Sequence, residues 1–254
     1  MKEGILILIV GMLSGFMNTI GGGGSLLTLP VLIFAGLPSA VANGTNRIAL
    51  MVQNLVAVNT FRNKGYFNPK FCIMLGAPAV LGSIIGAQMA VNISGNTFEK
   101  ILGIVMLVVL VLIIWRPEKN LIKSIDIEDL SNIRKAVAVI AFFFVGFYGG
   151  FIQAGVGFII ILTLGLITGK SLVEINSLKV FIIGIYMLSS LVVFIANGKI
   201  DWILGIVLAI GNGIGAYIGS NFAVNKGDKW IRRIIFVAIM IMAAKLLGVH
   251  RVIF

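Results

Sequence analysis

Eight apolar runs make up most of this sequence, at about 4–36, 46–61, 71–91, 98–115, 136–168, 175–196, 202–223 and 231–248. Most are near the roughly 20 residues that a helix needs to cross a bilayer. Lipid offers no partner to backbone N–H and C=O groups, so continuous apolar runs of this length resolve as helices. The composition agrees: 59% of the 254 residues are hydrophobic and 11% are charged, against roughly 25% charged in soluble domains. Mean hydropathy is +1.10. A soluble fold of this size leaves too much surface in water to hide such an excess. That excludes a soluble enzyme, a disordered chain and a secreted disulfide scaffold. The class is an all-α polytopic membrane protein.

The single cysteine, Cys72, allows no intrachain disulfide. The single histidine, His250, stands at the C-terminal end, so neither a buried metal site nor a Ser/His/Asp triad has a histidine to build on. The net charge of +11 comes from 20 Lys+Arg against 9 Asp+Glu. The basic residues scatter over loops without an aromatic-rich surface, which points to basic cytoplasmic loops and not to nucleic acid.

The two halves resemble each other. Lys64-Gly65-Tyr66-Phe67-Asn68 matches Asn197-Gly198-Lys199-Ile200-Asp201 at a spacing of 133, which also sets Asn43 on Asn176 and Gly82 and Gly86 on Gly215 and Gly219. Nearer the start the spacing is 135, and Gly11, Gly15 and Phe16 fall on Gly146, Gly150 and Phe151. The stretch after Lys2 looks like a signal-peptide core, but this counterpart in the second half marks it as retained structure.

Charge orients the halves. The loop 62–70 carries Arg62, Lys64 and Lys70, while its equivalent 197–201 carries only Lys199. The next pair reverses this: 92–100 has only Lys100, and 225–233 has Lys226, Lys229, Arg232 and Arg233. The positive-inside rule then puts equivalent loops on opposite sides, which predicts two inverted repeats, as in many secondary transporters. The long runs 4–36 and 136–168 are each interrupted by glycine. Each half is expected to be a Gly-broken helical hairpin followed by three transmembrane helices. The first repeat would cover 1–115 and the second 136–254. Between them lies a polar linker, 116–135, with Arg116, Lys119, Lys123, Asp126, Glu128, Asp129, Arg134 and Lys135. It is placed in the cytoplasm, with both chain ends outside.

The strongest local feature is Asn18-Thr19-Ile20-Gly21-Gly22-Gly23-Gly24-Ser25. Four glycines make a poor helix and cannot face lipid with backbone exposed, so they are buried in protein or line a cavity. A helix beginning near Ser25 aims its positive end at that break, and free N–H groups at a helix N-terminus suit an anion. A weaker copy is Gln153-Ala154-Gly155-Val156-Gly157. A plain kink that lets helices pack closely is the alternative at both breaks, and it suits the weaker second one better.

Asn43-Gly44-Thr45-Asn46-Arg47 comes second, followed by Gln53, Asn54 and Asn59. Several of these share a helical face, and polar groups inside a membrane point to partners or to a wet path. Arg47 offers an oxyanion a planar fork. The repeat supplies Asn176, Ser177 and Lys179. Alternatively Arg47 and Lys179 sit at helix ends and snorkel to the interface, and the asparagines tie helices together. The pairs Gly11/Gly15, Gly82/Gly86, Gly146/Gly150 and Gly215/Gly219 suit close packing within the chain or a homodimer.

No cofactor motif survives inspection. Gly165 to Ser171 is one residue short of a Walker A loop and follows an apolar span instead of a strand. Gly211-Asn212-Gly213-Ile214-Gly215 lacks the dinucleotide-binding context. No carboxylate lies in the middle of a span, which argues against a midplane proton relay and a cation substrate.

Asn18 to Pro30, then Gly36-Leu37-Pro38, Ala42 to Asn46 and Asn63 to Phe67 together resemble the TauE/SafE sulfite exporter family. Gly146–Gly157 and Asn197–Asp201 resemble its second repeat, so the likeness spans nearly the whole chain. The resemblance implies a multi-pass permease of the prokaryotic cytoplasmic membrane, linked to sulfite, thiosulfate and sulfonates. The expected function is therefore secondary transport of a small sulfur-containing anion by alternating access. The expected site is Asn18, Thr19, Gly21, Gly22, Gly23, Gly24, Ser25, Asn43, Thr45, Asn46 and Arg47, with Gln153, Gly155, Gly157, Asn176 and Lys179 from the second repeat. Alternatives are a permease for a carboxylate or metal oxyanion, and a non-transporting scaffold or sensor subunit.

Overall fold

The computed structural model describes residues 2–115 and 130–246. Residues 116–129 of the expected linker lie outside them. All regular structure among the described residues is helical: α1 Lys2–Ile20, α2 Ser25–Phe34, α3 Ser39–Asn63, α4 Pro69–Asn92, α5 Gly95–Trp115, α6 Asn132–Phe151, α7 Val156–Thr168, α8 Leu172–Ala196 and α9 Trp202–Leu246. Four stretches among them are long and apolar enough to cross a membrane: Pro69–Asn92, Asn132–Phe151, Leu172–Ala196 and Trp202–Ile231.

Local chemistry sets the ends of these helices. Pro69 opens α4, where it needs no N–H partner, and Asn68 Oδ1 accepts from the Phe71 N–H at 3.2 Å. Ser171 and Glu174 form a capping box on α8, and the Asp228 carboxylate accepts from the Leu172 and Val173 N–H groups at 3.1 and 3.3 Å. α9 is interrupted at Gly227, whose φ of 69° only glycine adopts without strain.

The element bounds carry the repeat. α3 and α8 each have 25 residues and begin at 39 and 172, and α4 and α9 begin at 69 and 202. α5 begins at 95, and the second part of α9 follows Gly227. These three pairs keep the spacing of 133, and the broken pairs α1–α2 and α6–α7 precede them in the same order. The plan of a broken pair followed by three helices therefore holds in both halves, with the last two of the second half joined across Gly227.

α1 and α2 form a hairpin. Ile7, early in α1, packs in one cluster with Leu32 near the end of α2 and Leu37 just past it. Packing between the halves is crossed: α1 lies on α9 and α6 lies on α4. All four small-residue pairs make these contacts within the chain. Gly11 meets Leu208, Gly15 meets Asn212, Gly215 meets Met12 and Gly219 meets Phe16. In the same way Gly82 meets Phe143, Gly86 meets Phe147, Gly146 meets Ala79 and Gly150 meets Ser83. Side chains at these glycines would hold the backbones apart.

Candidate functional site

The two helix breaks meet. Gly22 and Gly23 have φ of 103° and 86°, and Gly155 has 73°. These left-handed conformations end α1 and start α7. Gly22 and Gly157 lie against each other: a Cβ on Gly22 would come within 2.7 Å of the Gly157 Cα. Gly21 to Ser25 and Gln153 to Gly157 are all buried. α2 and α7 both begin without a side-chain cap.

Each break is braced by its own half, with donor and acceptor exchanged. Asn18 Nδ2 donates to Gln53 Oε1 at 3.1 Å, and the Tyr186 hydroxyl donates to Gln153 Oε1 at 3.0 Å. Asn18 and Gln153 are equivalent at a spacing of 135, as are Gln53 and Tyr186 at 133. Gln153 holds its place with φ of 65°, a conformation uncommon for a residue with a side chain. Asn18 Oδ1 also accepts from the Gly24 N–H at 2.6 Å. One of the backbone donors expected to face an anion is thus already engaged. Asn46 accepts from the Thr28 hydroxyl at 2.7 Å and donates to Ser25 Oγ at 3.4 Å. Thr19 bonds back to the Gly15 carbonyl at 2.8 Å. Thr45 lies apart from this cluster and accepts from the Asp201 N–H at 2.9 Å.

The carbonyl ends of the broken helices are held by the opposite half. A helix that ends inside protein leaves carbonyls without water, at the negative end of its dipole. At the end of α6, Arg47 on α3 donates to the Gly149 carbonyl at 3.2 Å and the Gly150 carbonyl at 2.5 Å, and Asn43 donates to the Phe151 carbonyl at 2.8 Å. Arg47 also donates to Ser190 Oγ at 2.7 Å and Asn43 Oδ1 at 3.3 Å, and lies 4.5 Å from the centre of the Phe194 ring. At the end of α1, Lys179 on α8 donates to the Asn18 carbonyl at 2.8 Å and the Thr19 carbonyl at 3.3 Å, and Asn176 donates to the Ile20 carbonyl at 2.6 Å. Lys179 and Asn176 are themselves bonded at 2.6 Å.

Neither cation snorkels, since both are fully buried. The fork of Arg47 grips α6, and its Nε is the group left without a partner. Sequence reasoning missed Ser14, Tyr186 and Ser190, which touch these residues. Applying the repeat spacing to Gln53 points straight to Tyr186.

A bundle of membrane-crossing helices that meets in paired, buried helix breaks has the construction of a broken-helix transporter. The chain belongs to the sulfite exporter TauE/SafE family, whose model matches residues 7–246. It is similar to the probable membrane transporter protein YfcA of Escherichia coli K12, at 29% identity over 95% of this chain and 88% of that protein. A probable membrane transporter protein of Haemophilus influenzae is 28% identical over 95% of this chain and 93% of its own length. The probable membrane transporter protein ORF9 of a Sinorhizobium species is 23% identical over 95% and 91%. No solved structure matches the chain. It is an integral membrane transporter, not an enzyme.

Proposed function

We propose that the chain is a secondary transporter for a small sulfur-containing anion such as sulfite, thiosulfate or a sulfonate, working by alternating access in the prokaryotic cytoplasmic membrane. One observation carries the choice of an anion. Arg47 and Lys179 are fully buried, and the buried polar side chains among the described residues include no carboxylate. The groups that face these two charges are neutral: backbone carbonyls, the Asn43, Asn176 and Ser190 side chains and the Phe194 ring. Unbalanced positive charge away from water favours a small anion and repels a cation. The starts of α2 and α7 add N–H dipoles of the same sign, although Asn18 already takes the Gly24 N–H at α2.

Contacts support the inverted arrangement. The start of α3 meets α5 through Ser39 and Glu99 at 2.6 Å and meets the loop before α9 through Thr45 and Asp201. The start of α8 meets Tyr66, in the loop before α4, and Asp228. These contacts favour equivalent loops at opposite ends of the bundle.

The test is flux of sulfite, thiosulfate and small sulfonates into liposomes containing the purified protein. Saturable uptake of at least one of them, competed by the others, is expected. A panel that gives neither flux nor binding overturns the reading.

A further inference from the structure

The two ends of the bundle are packed differently at equivalent positions. At one end Gly44 faces the loop before α9, and a Cβ there would fall on the Lys199 carbonyl. The loop is pressed onto α3 and latched by the Thr45–Asp201 bond at 2.9 Å. At the other end Ser177 stands where Gly44 does and Tyr66 where Lys199 does, both at a spacing of 133. Here the Ser177 hydroxyl bonds the Tyr66 carbonyl, so a side chain holds the loop off α8. A cavity of about 210 Å³ opens beside it, lined by Tyr66, Asn68, Lys170, Glu174, Ser177 and Leu178. One water needs only ~10–15 Å³ measured in this way, so a hydrated oxyanion fits. The turn of α8 that lines it also carries Asn176 and Lys179, which hold the end of α1.

We propose that this cavity is the open mouth of the transport path for the small oxyanion, and that the Gly44–Lys199 contact is the closed gate at the far end. This rests on the transport function proposed above. The exposed Lys64, Lys70, Lys226 and Lys229 lie at the open end, and the positive-inside rule makes that end cytoplasmic. The basic rim draws anions toward the mouth. Serine against glycine at one position decides which loop closes.

The test uses the full chain with Cys72→Ala, so that each new cysteine is single. Leu178→Cys and Thr45→Cys are equivalent positions at the open and closed ends. The reading expects a polar maleimide to modify Leu178→Cys at least tenfold faster in the purified protein. Ser177→Gly slows that reaction severalfold, and Gly44→Ser speeds the reaction at Thr45→Cys. Equal rates at the two positions, or rates indifferent to both gate substitutions, overturn the proposal. If either cysteine variant fails to fold, Tyr66→Cys in the cavity lining serves as the reporter: Ser177→Gly is expected to slow its modification severalfold, and an unchanged rate overturns the proposal. Methanesulfonate, which does not consume the reagent, is expected to slow modification at the open end. A tenfold ratio without that protection upholds the open mouth and overturns a sulfonate as its occupant.

Discussion

Asn43 and Asn176 make the same bond on opposite halves of the molecule. Asn43 donates its side-chain amide to the carbonyl of Phe151, the last residue of α6, at 2.8 Å. Asn176 donates to the carbonyl of Ile20, the last residue of α1, at 2.6 Å. Each stands beside a buried cation that grips the preceding carbonyls. Neither broken helix is complete within its own repeat. A shift of one half therefore changes the hydrogen bonding at the other half's break, which couples the two tips directly.

Removing either cation leaves helix-end carbonyls buried without partners. Hydrogen bonds to charged groups contribute roughly 1.5–3 kcal/mol, and a buried group left unpaired costs ~1–3 kcal/mol. Arg47→Met and Lys179→Met are each expected to lower stability by about 3 kcal/mol. Arg47→Lys, which keeps the charge and loses the fork, falls between wild type and Arg47→Met. Denaturant unfolding of the detergent-solubilised protein measures this. Unchanged stability in both methionine variants would show that the carbonyls are satisfied in another way.

The contact between the tips gives a second prediction. Gly22 has a positive φ and touches Gly157, and a Cβ on Gly157 would approach the Gly22 Cα to 2.6 Å. Gly157 has no such φ, so alanine there tests the contact alone, while Gly22→Ala adds backbone strain of about 1–2 kcal/mol. Anion flux is expected to fall about tenfold or more in Gly157→Ala, since misplacement of roughly 1 Å at a site of oriented dipoles is costly. Gly22→Ala is expected to lose flux and also ~1–3 kcal/mol of stability. Equal flux to wild type in Gly157→Ala at normal expression would remove the tips from the transport path.

Much of this was legible in the sequence because the duplicated features are covalent regularities. The spacing of 133 that aligns Asn43 with Asn176 is the same spacing that separates α3 from α8. Apolar length gave the helices, and four glycines gave the first break. The destination of Arg47 was not legible. A buried arginine on a polar face looks the same whether it binds a ligand or ends a helix, and the helix it ends lies 102 residues away in sequence. The pairing of Gln153 with Tyr186 was hidden because the repeat substitutes Gln for Asn and Tyr for Gln, which keeps the contact but exchanges donor and acceptor. The difference between Gly44 and Ser177 was visible as two letters, but its meaning depends on which carbonyl each one faces.

The crossed packing of the halves predicts matched effects at matched glycines. A Cβ on Gly82 would run into the Phe143 carbonyl of α6, and one on Gly215 into the Met12 carbonyl of α1. These obstacles are backbone, so relief requires the helices to separate, and overpacking of this kind costs ~1–3 kcal/mol. Gly82→Ala and Gly215→Ala are expected to destabilise the protein by similar amounts. Gly103, exposed on α5 with nothing within 4 Å of a Cβ, serves as the control. There alanine keeps helical backbone and adds no clash, so Gly103→Ala leaves stability unchanged or raises it by up to ~1 kcal/mol. Thermal unfolding of the three variants side by side measures the contrast. A Gly103→Ala loss as large as the other two would mean that glycine is needed for backbone freedom along the helices generally, not for the α4–α6 and α1–α9 contacts.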